Sequence, residues 1–171
     1  MSDHFPGEIT IGGSIPRRLL DKLAEMIASE GVSIDWQYAL DQAAIQAAIE
    51  TAAAKGETVR FTDDEASCGQ FEDLENWLTN HGIDYDRHSD ARYEYDGENV
   101  HGRGRKRPVV MSSSQSGYDM VGADEIREIL AGRDQPARKL ERIAKLVAVP
   151  PALTPIVLTE GKGEPHAHVE V

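Results

Sequence analysis

The chain has 171 residues, of which 40% are apolar, so it can bury one ordinary hydrophobic core, and its formal net charge is −12 at neutral pH. Its single cysteine, Cys68, excludes an internal disulfide framework and a cysteine-based structural zinc site. No apolar run approaches the roughly 20 residues of a spanning helix, and the acidic N-terminal residues do not resemble a secretory signal. We expect a cytoplasmic protein with one acidic domain over residues 1–149, an extended, mobile linker and tail over residues 150–171, and no membrane partner.

The first part of the chain alternates short β-branched segments with amphipathic ones. Residues 8–11 predict a strand, and apolar residues at helical spacing between positions 19 and 27 predict a helix capped by Ser14. Residues 32–36 alternate apolar and polar side chains and predict a second strand. The alanine-rich residues 38–55 predict the longest helix, which ends at Gly56.

Residues 57–86 repeat the order strand, helix, glycine and strand found at residues 8–36, which suggests a weak internal duplication. Each connection is long enough to cross over between parallel strands. We therefore predict an α/β or α+β fold, in which two strand-helix-strand units build a mixed sheet of about five strands with helices packed on it.

The remaining predicted elements are shorter. Tyr93 and Tyr95 alternate with charged residues ahead of the turn signal Asp96-Gly97, a pattern typical of a hairpin. Residues 109–112 predict one more strand, and two short helices are expected over residues 124–130 and 136–147.

The negative charge is concentrated in the first 98 residues, which contain 21 acidic and 7 basic side chains (7 − 21 = −14), whereas residues 99–171 contain 9 and 11 (11 − 9 = +2). Such a field attracts cationic surfaces and repels phosphate backbones, although solubility alone also favours acidic surfaces. The leading hypothesis is a non-enzymatic interaction protein that binds a basic partner. One form of it is a nucleic-acid mimic that inhibits a nucleic-acid-binding or defence protein. The candidate partner-binding residues are Asp63, Asp64, Glu65, Glu72, Asp73, Asp84, Asp86, Asp90, Glu94 and Asp96.

Three consecutive carboxylates, Asp63 to Glu65, precede the amphipathic residues 71–81. Ser67 followed by Gln70 fits a capping box, and carboxylates near a helix start stabilise its positive dipole end. A second hypothesis is a small divalent-metal-dependent hydrolase that uses these three carboxylates. It requires further oxygen ligands to converge, from Asp84, Asp86 or Asp90. Cys68 has no cationic neighbour in the sequence to favour a thiolate, so we expect no catalytic cysteine.

A basic run, "HGRGRKRP" at residues 101–108, supports a third hypothesis. Phosphate or nucleic-acid contact would use Arg103, Arg105, Lys106 and Arg107, but a solvated loop explains the same residues, and the surrounding acidic charge disfavours direct nucleic-acid binding. The stretch "SSSQSG" at residues 112–117 lacks the glycine and lysine pattern of a phosphate-binding loop. No motif is specific enough to name a reaction, and we assign no cofactor, catalytic residue or metal ligand.

Overall fold

The structure is a computed structural model that describes residues 4–34, 38–91, 96–114 and 116–160. The strands in this part of the chain are β1 (Gly7–Gly12), β2 (Ser14–Pro16), β3 (Val59–Asp63), β4 (Asp84–Ser89), β5 (Gly97–Gly102), β6 (Val109–Ser113), β7 (Asp119–Met120) and β8 (Val157–Thr159). The helices are a short 3₁₀ helix (Arg17–Leu19), α1 (Leu20–Ser29), α2 (Gln42–Lys55), α3 (Glu72–His81), α4 (Ala123–Ala131) and α5 (Pro136–Leu146).

The main sheet has six strands in the order β3-β1-β4-β5-β6-β7, and every neighbouring pair is antiparallel. Because β3 and β4 both pair with β1, they run parallel to each other on either side of it, and α3 connects them. The predicted fold of helices on a sheet is confirmed, in its α+β form. The two strands that α3 connects, β3 and β4, are parallel as predicted, but β1 lies between them in the sheet.

The first strand-helix-strand unit is shorter than predicted. Ser33 forms an isolated antiparallel bridge with Thr62 of β3. The segment that contains α1 therefore connects β1 to Ser33, which lies on the side of β3 away from β1. The two units therefore interlock as a split β-α-β arrangement. The predicted second strand at residues 32–36 is reduced to this bridge, and residues 35–37 lie outside the described chain.

The hydrophobic core lies between one face of the sheet and the helices α1, α2 and α3. Ile9 and Ile11 of β1 are fully buried and alternate with more exposed polar residues, which is the period-two pattern that predicted this strand. Phe61 of β3 and Tyr85 of β4 extend the same face. The helices contribute Leu23, Ala24, Ile27, Ile45, Ile49, Leu74 and Leu78.

Two predicted helix caps are wrong. Ser14 lies in β2, and the helical segment begins after Pro16. The Ser67–Gln70 capping box does not form, because α3 begins at Glu72 and the Phe71 N–H donates to Glu75 Oε1 at 3.1 Å. Residues 66–71 form a turn instead, in which the Gln70 N–H donates to the Ser67 carbonyl at 3.0 Å.

Burial explains why this turn replaces a helix start. Ala66 and Phe71 are 4% and 1% exposed, so both ends of the segment are held in the core. The chain between them reverses through Cys68 and Gly69, both in the left-handed region with φ of 53° and 65°. The acidic residues Glu72 and Asp73 nevertheless occupy the first turn of α3, as the sequence predicted.

The beginning of the predicted C-terminal linker is extended, but residues 153–159 pack on the domain. Ile156 is 2% exposed, and its N–H donates to the Glu57 carbonyl at 2.9 Å. β8 pairs in parallel with β2. A Cβ at Gly12 would lie 2.3 Å from the Thr154 carbonyl oxygen, so this close approach requires glycine. Residues 161–171 lie outside the described chain.

Truncating Ile156 tests whether the C-terminal segment is part of the folded domain. Ile156→Ala should lower the free energy of unfolding by about 2–5 kcal/mol, because it leaves a cavity in the core. Val157→Ala is the matched control: this neighbour is 57% exposed, so its loss should stay within about 0.5 kcal/mol. Urea denaturation of both variants makes the comparison. Equal, small losses would mean that the segment is not docked in solution.

A buried arginine joins the sheet to α3. Arg87 of β4 is 3% exposed, and its Nε donates to Glu75 Oε1 at 3.0 Å while Nη1 donates to Ser89 Oγ at 3.1 Å. Its Nη2 forms an ion pair with Glu98 of β5. A buried guanidinium is tolerated when paired in this way, and removing one partner leaves an uncompensated charge.

We expect Arg87→Met to destabilise the protein by about 3–5 kcal/mol, because it leaves the partly buried Glu75 carboxylate without its cation. Arg60→Met is the control, since the Arg60–Glu8 pair is exposed and should contribute at most about 1 kcal/mol. Adding Glu75→Gln to Arg87→Met should recover part of the loss. Urea denaturation measures all three, and equal effects of the two arginine variants would contradict a structural role for the buried pair.

Candidate functional site

An open cleft of about 340 Å³ lies between the C-terminal end of α1 and the N-terminal end of α3. We call it the acidic cleft, and its lining residues are Glu30, Ser67, Cys68, Gln70, Glu72 and Asp73. Glu30 follows the last turn of α1, whereas the other five belong to the turn before α3 and to its first residues. The reversal at Cys68 and Gly69 therefore brings the two carboxylates of α3 beside the end of α1.

Negative charge accumulates in this cleft. The pKa of Glu30 is raised above its usual value, first by burial and then by repulsion from three nearby carboxylates, while a backbone hydrogen bond to Leu74 offsets part of the shift. The three carboxylates, in decreasing order of effect, are those of Asp73, Asp63 and Glu75. The residue that the sequence did not single out, Glu30, is thus the point at which the acidic residues of β3 and α3 meet.

The cleft carboxylates have no counter-charge within the described residues. No salt bridge there involves Glu30, Glu72 or Asp73, nor the preceding Asp63–Glu65 cluster. Asp63 Oδ1 accepts a hydrogen bond from the Glu65 N–H at 3.0 Å, which shapes the turn, and the side chains of Asp64 and Glu65 are exposed. A cation that enters the cleft would therefore find ionisable oxygens without a competing partner.

The ligands that a metal-dependent hydrolase would need are not brought together. Asp63 pairs with Gly7 and so lies on the helix-covered face of the sheet. Asp84 and Asp86 occupy the alternate positions of β4, which point to the opposite face. Among the residues that the structure describes, no three His, Cys, Asp or Glu side chains are grouped to hold a metal ion.

The opposite, open face of the sheet carries a clamped histidine. His101 of β5 lies between two carboxylates, with Nδ1 at 2.8 Å from Asp86 Oδ1 and Nε2 at 3.2 Å from Asp119 Oδ1. The hydrogen bond that His101 donates to Asp86 raises the pKa of His101, burial opposes that shift, and the hydrogen bond to Asp119 adds to it. Burial alone would raise the pKa of Asp86, but the hydrogen bonds from His101 and Arg103 outweigh it and hold that pKa below its usual value.

A second histidine continues this polar network. Asn99 Nδ2 donates to the Gly117 carbonyl at 2.9 Å and to Asp119 Oδ1 at 2.8 Å, which leaves its Oδ1 as an acceptor. His88 Nδ1 lies 2.7 Å from that oxygen. Its Nε2 lies 3.1 Å from Asp90. These contacts engage both ring nitrogens of His88 and of His101 and the side-chain amide of Asn99.

Of the predicted partner-binding carboxylates, Glu72 and Asp73 line the acidic cleft and Asp63 lies near enough to raise the pKa of Glu30, whereas Asp64 and Glu65 are exposed in the turn after β3. Asp86 and Asp90 pair with histidines, and Asp84 Oδ1 accepts from the Gly104 N–H at 2.7 Å. Asp96 is exposed ahead of β5, and Glu94 lies outside the described residues.

The predicted basic contact residues divide into two groups. Arg103 is bound within the domain, because its guanidinium pairs with Asp86 at 2.7 Å and donates to the Tyr85 and Pro151 carbonyls at 2.7 and 3.0 Å. The other three, Arg105, Lys106 and Arg107, are exposed between β5 and β6.

Comparison with known proteins adds no functional information. No protein-family model matches the chain, no curated protein is a match, and no solved structure matches the fold. In the part of the chain that the structure describes, none of the helices has the length and apolar character needed to cross a membrane.

The shifted pKa values of His101 and Asp86 predict how the free energy of unfolding changes with pH. Because folding raises the pKa of His101 above its usual 6.5, its contribution is complete below pH 6.5 and is lost as pH rises through the folded-state pKa. Asp86 behaves in the opposite way: its contribution is present above its usual pKa of 3.8 and is lost as pH falls through the lowered value.

Urea denaturation at several pH values should therefore show a loss of stability on the alkaline side of pH 6.5 that His101→Gln removes. The control is His81→Gln, which removes a histidine whose Nδ1 bonds to the Trp77 carbonyl, and it should keep that pH dependence. If the His101 variant and the wild type lose stability in parallel above pH 6.5, the histidine is not clamped in its charged form.

Proposed function

We propose that the protein is a non-enzymatic interaction protein of the cytoplasm whose acidic cleft binds a cationic segment of a partner protein. The observation that carries this proposal is that Glu30, Glu72 and Asp73 line one cleft and form no ion pair with any cation of the described chain. Elsewhere in the domain, buried carboxylates such as Glu75 are paired with arginine. The cleft gathers part of the excess acidic charge of the first 98 residues in a recess that a partner side chain can enter.

The shape of the cleft favours a lysine or arginine side chain over a flat basic surface. A recess of about 340 Å³ accepts one or a few side chains, and a cation placed between carboxylates forms charge-assisted hydrogen bonds. Such a cation would stabilise the ionised form of Glu30 and lower its raised pKa. Binding should therefore release a proton and tighten as pH rises through the pKa of Glu30.

Nucleic-acid mimicry is a narrower form of the same proposal. It applies if the cationic segment belongs to the nucleic-acid groove of the partner, so that carboxylates replace phosphates there. Duplex DNA would then compete with the protein for its partner, whereas a partner bound through another basic surface would stay bound in the presence of DNA.

Neutralising the cleft tests the proposal. The variant Glu30→Gln/Glu72→Gln/Asp73→Asn removes three cleft charges, and the matched control Glu25→Gln/Glu50→Gln/Glu57→Gln removes three exposed charges elsewhere. At about 0.2–1 kcal/mol for each lost pair, the cleft variant should bind an octa-lysine peptide at least about threefold more weakly than the control. Isothermal titration calorimetry at low salt measures both affinities.

Retention of basic proteins from a lysate should follow the same order and should decrease with salt. If the cleft variant and the control lose affinity equally, net charge rather than the cleft attracts cations. If neither the wild type nor either variant retains any basic protein or peptide at low salt, the proposed function is wrong.

A further inference from the structure

The two helices after the sheet form a hairpin that stands largely outside the domain core. α4 and α5 pack mainly on each other and make few contacts with the rest of the described chain. Lys139 Nζ bonds to the Leu130 carbonyl at the end of α4, and Arg142 pairs with Asp134 in the connection at 2.9 Å, so the hairpin is held as a unit. Only Ile129 of these two helices is buried, and no residue of α5 is.

Both helices of this hairpin carry large apolar side chains that the described residues do not cover. Leu140 and Val147 lie on the same side of the helical segment, seven positions apart, and they are 68% and 47% exposed. Leu130 of α4 is 54% exposed. Large apolar side chains at helical spacing normally face a core, and an uncovered stripe of this kind marks an interaction surface.

The two helices carry opposite charges. α4 has three acidic residues and one arginine (1 − 3 = −2), whereas α5 has four basic residues and one glutamate (4 − 1 = +3). A hairpin with one acidic and one basic helix is complementary to a second copy of itself. A two-fold axis places each helix of one hairpin beside the oppositely charged helix of the other.

We propose that the hairpin is a homodimer interface, in which α4 and α5 of two copies form a four-helix bundle with α4 of one copy beside α5 of the other. Leu130, Leu140 and Val147 then form the centre of the bundle. The acidic and basic residues of the paired helices flank this apolar centre. In coiled coils, charged residues in such flanking positions determine which helices pair. The hairpin shares no residue with the acidic cleft, so dimerisation and partner binding are tested separately.

Charge distinguishes a second copy from the other occupants of a basic amphipathic helix. An anionic membrane attracts basic helices, but it repels a chain with a net charge of −12. A bundle in which two α5 helices lie side by side would place +3 against +3. Pairing of α4 of one copy with α5 of the other covers the exposed apolar side chains and also places opposite charges beside each other.

Sedimentation equilibrium or light scattering of the full chain tests this directly. The wild type should show a mass twice the 18.8 kDa of one chain at micromolar concentrations, and Leu140→Glu should raise the dissociation constant of the dimer at least about tenfold. Val157→Glu is the matched control, because it adds the same charge at an exposed apolar residue of β8, and it should still dimerise. Far-UV circular dichroism should be unchanged in both variants.

A charge exchange tests which helices meet. Glu128→Lys makes α4 less acidic and Arg138→Glu makes α5 less basic, so each variant alone should dimerise more weakly than the wild type. In a mixture of the two, a heterodimer places the lysine introduced into α4 of one copy beside the glutamate introduced into α5 of the other, and the remaining pair of helices is unaltered. Mixing should therefore restore dimerisation.

A single-chain mass for the wild type up to about 100 µM, above the dissociation constants of weak specific dimers, would overturn the proposal. So would a dimer that Leu140→Glu leaves intact, since another surface would then form it. Binding of the wild type to phosphatidylserine vesicles, with loss in Leu140→Glu and without dimers in solution, would assign the hairpin to a membrane surface instead.

Discussion

The buried guanidinium of Arg87 is the contact on which the arrangement of sheet, helix and cleft depends. It joins β4 to Glu75 of α3 and to Glu98 of β5. The same Glu75 oxygen also accepts the Phe71 N–H that begins α3. The ion pair therefore fixes the start of the helix relative to the sheet, and with it the direction in which Glu72 and Asp73 extend. The buried cation thus helps to position the α3 side of the acidic cleft.

Charged groups are paired in different ways on the two faces of the sheet. On the helix-covered face, the buried Arg87 is paired with Glu75 and Glu98, because burial of a charge without a partner is costly. The open face places His101 between Asp86 and Asp119, so that cationic and anionic groups neutralise each other in the network. The carboxylates that line the acidic cleft have no such partner within the described residues, so an external cation can pair with them.

Local patterns in the sequence predicted most of the elements but not their assembly. The alternation around Ile9 and the glycine after α2 define β1 and the end of the long helix, because both effects act over a few residues. The insertion of β1 between β3 and β4, and the register that sets His101 beside Asp86, are long-range pairings that no local pattern encodes. The sequence indicated Glu72 and Asp73 as candidate binding residues, but it gave no sign that Glu30 lies beside them, because the fold alone brings α1 and α3 together. The stripe on α5 predicted a helix without indicating that it stays uncovered.

The parallel pairing of β2 with β8 has a consequence for the protein during its synthesis. Ile15 is fully buried beside a strand that the ribosome makes more than a hundred residues later. Until residues 156–159 leave the ribosome, the end of the core near Gly12 and Glu57 has no cover, and closing so long a loop is slow. The nascent chain therefore passes through a nearly complete domain with one open side, the kind of intermediate on which chaperones act. A chain halted just before residue 156 would keep that side exposed, because Ile156 and β8 supply its cover.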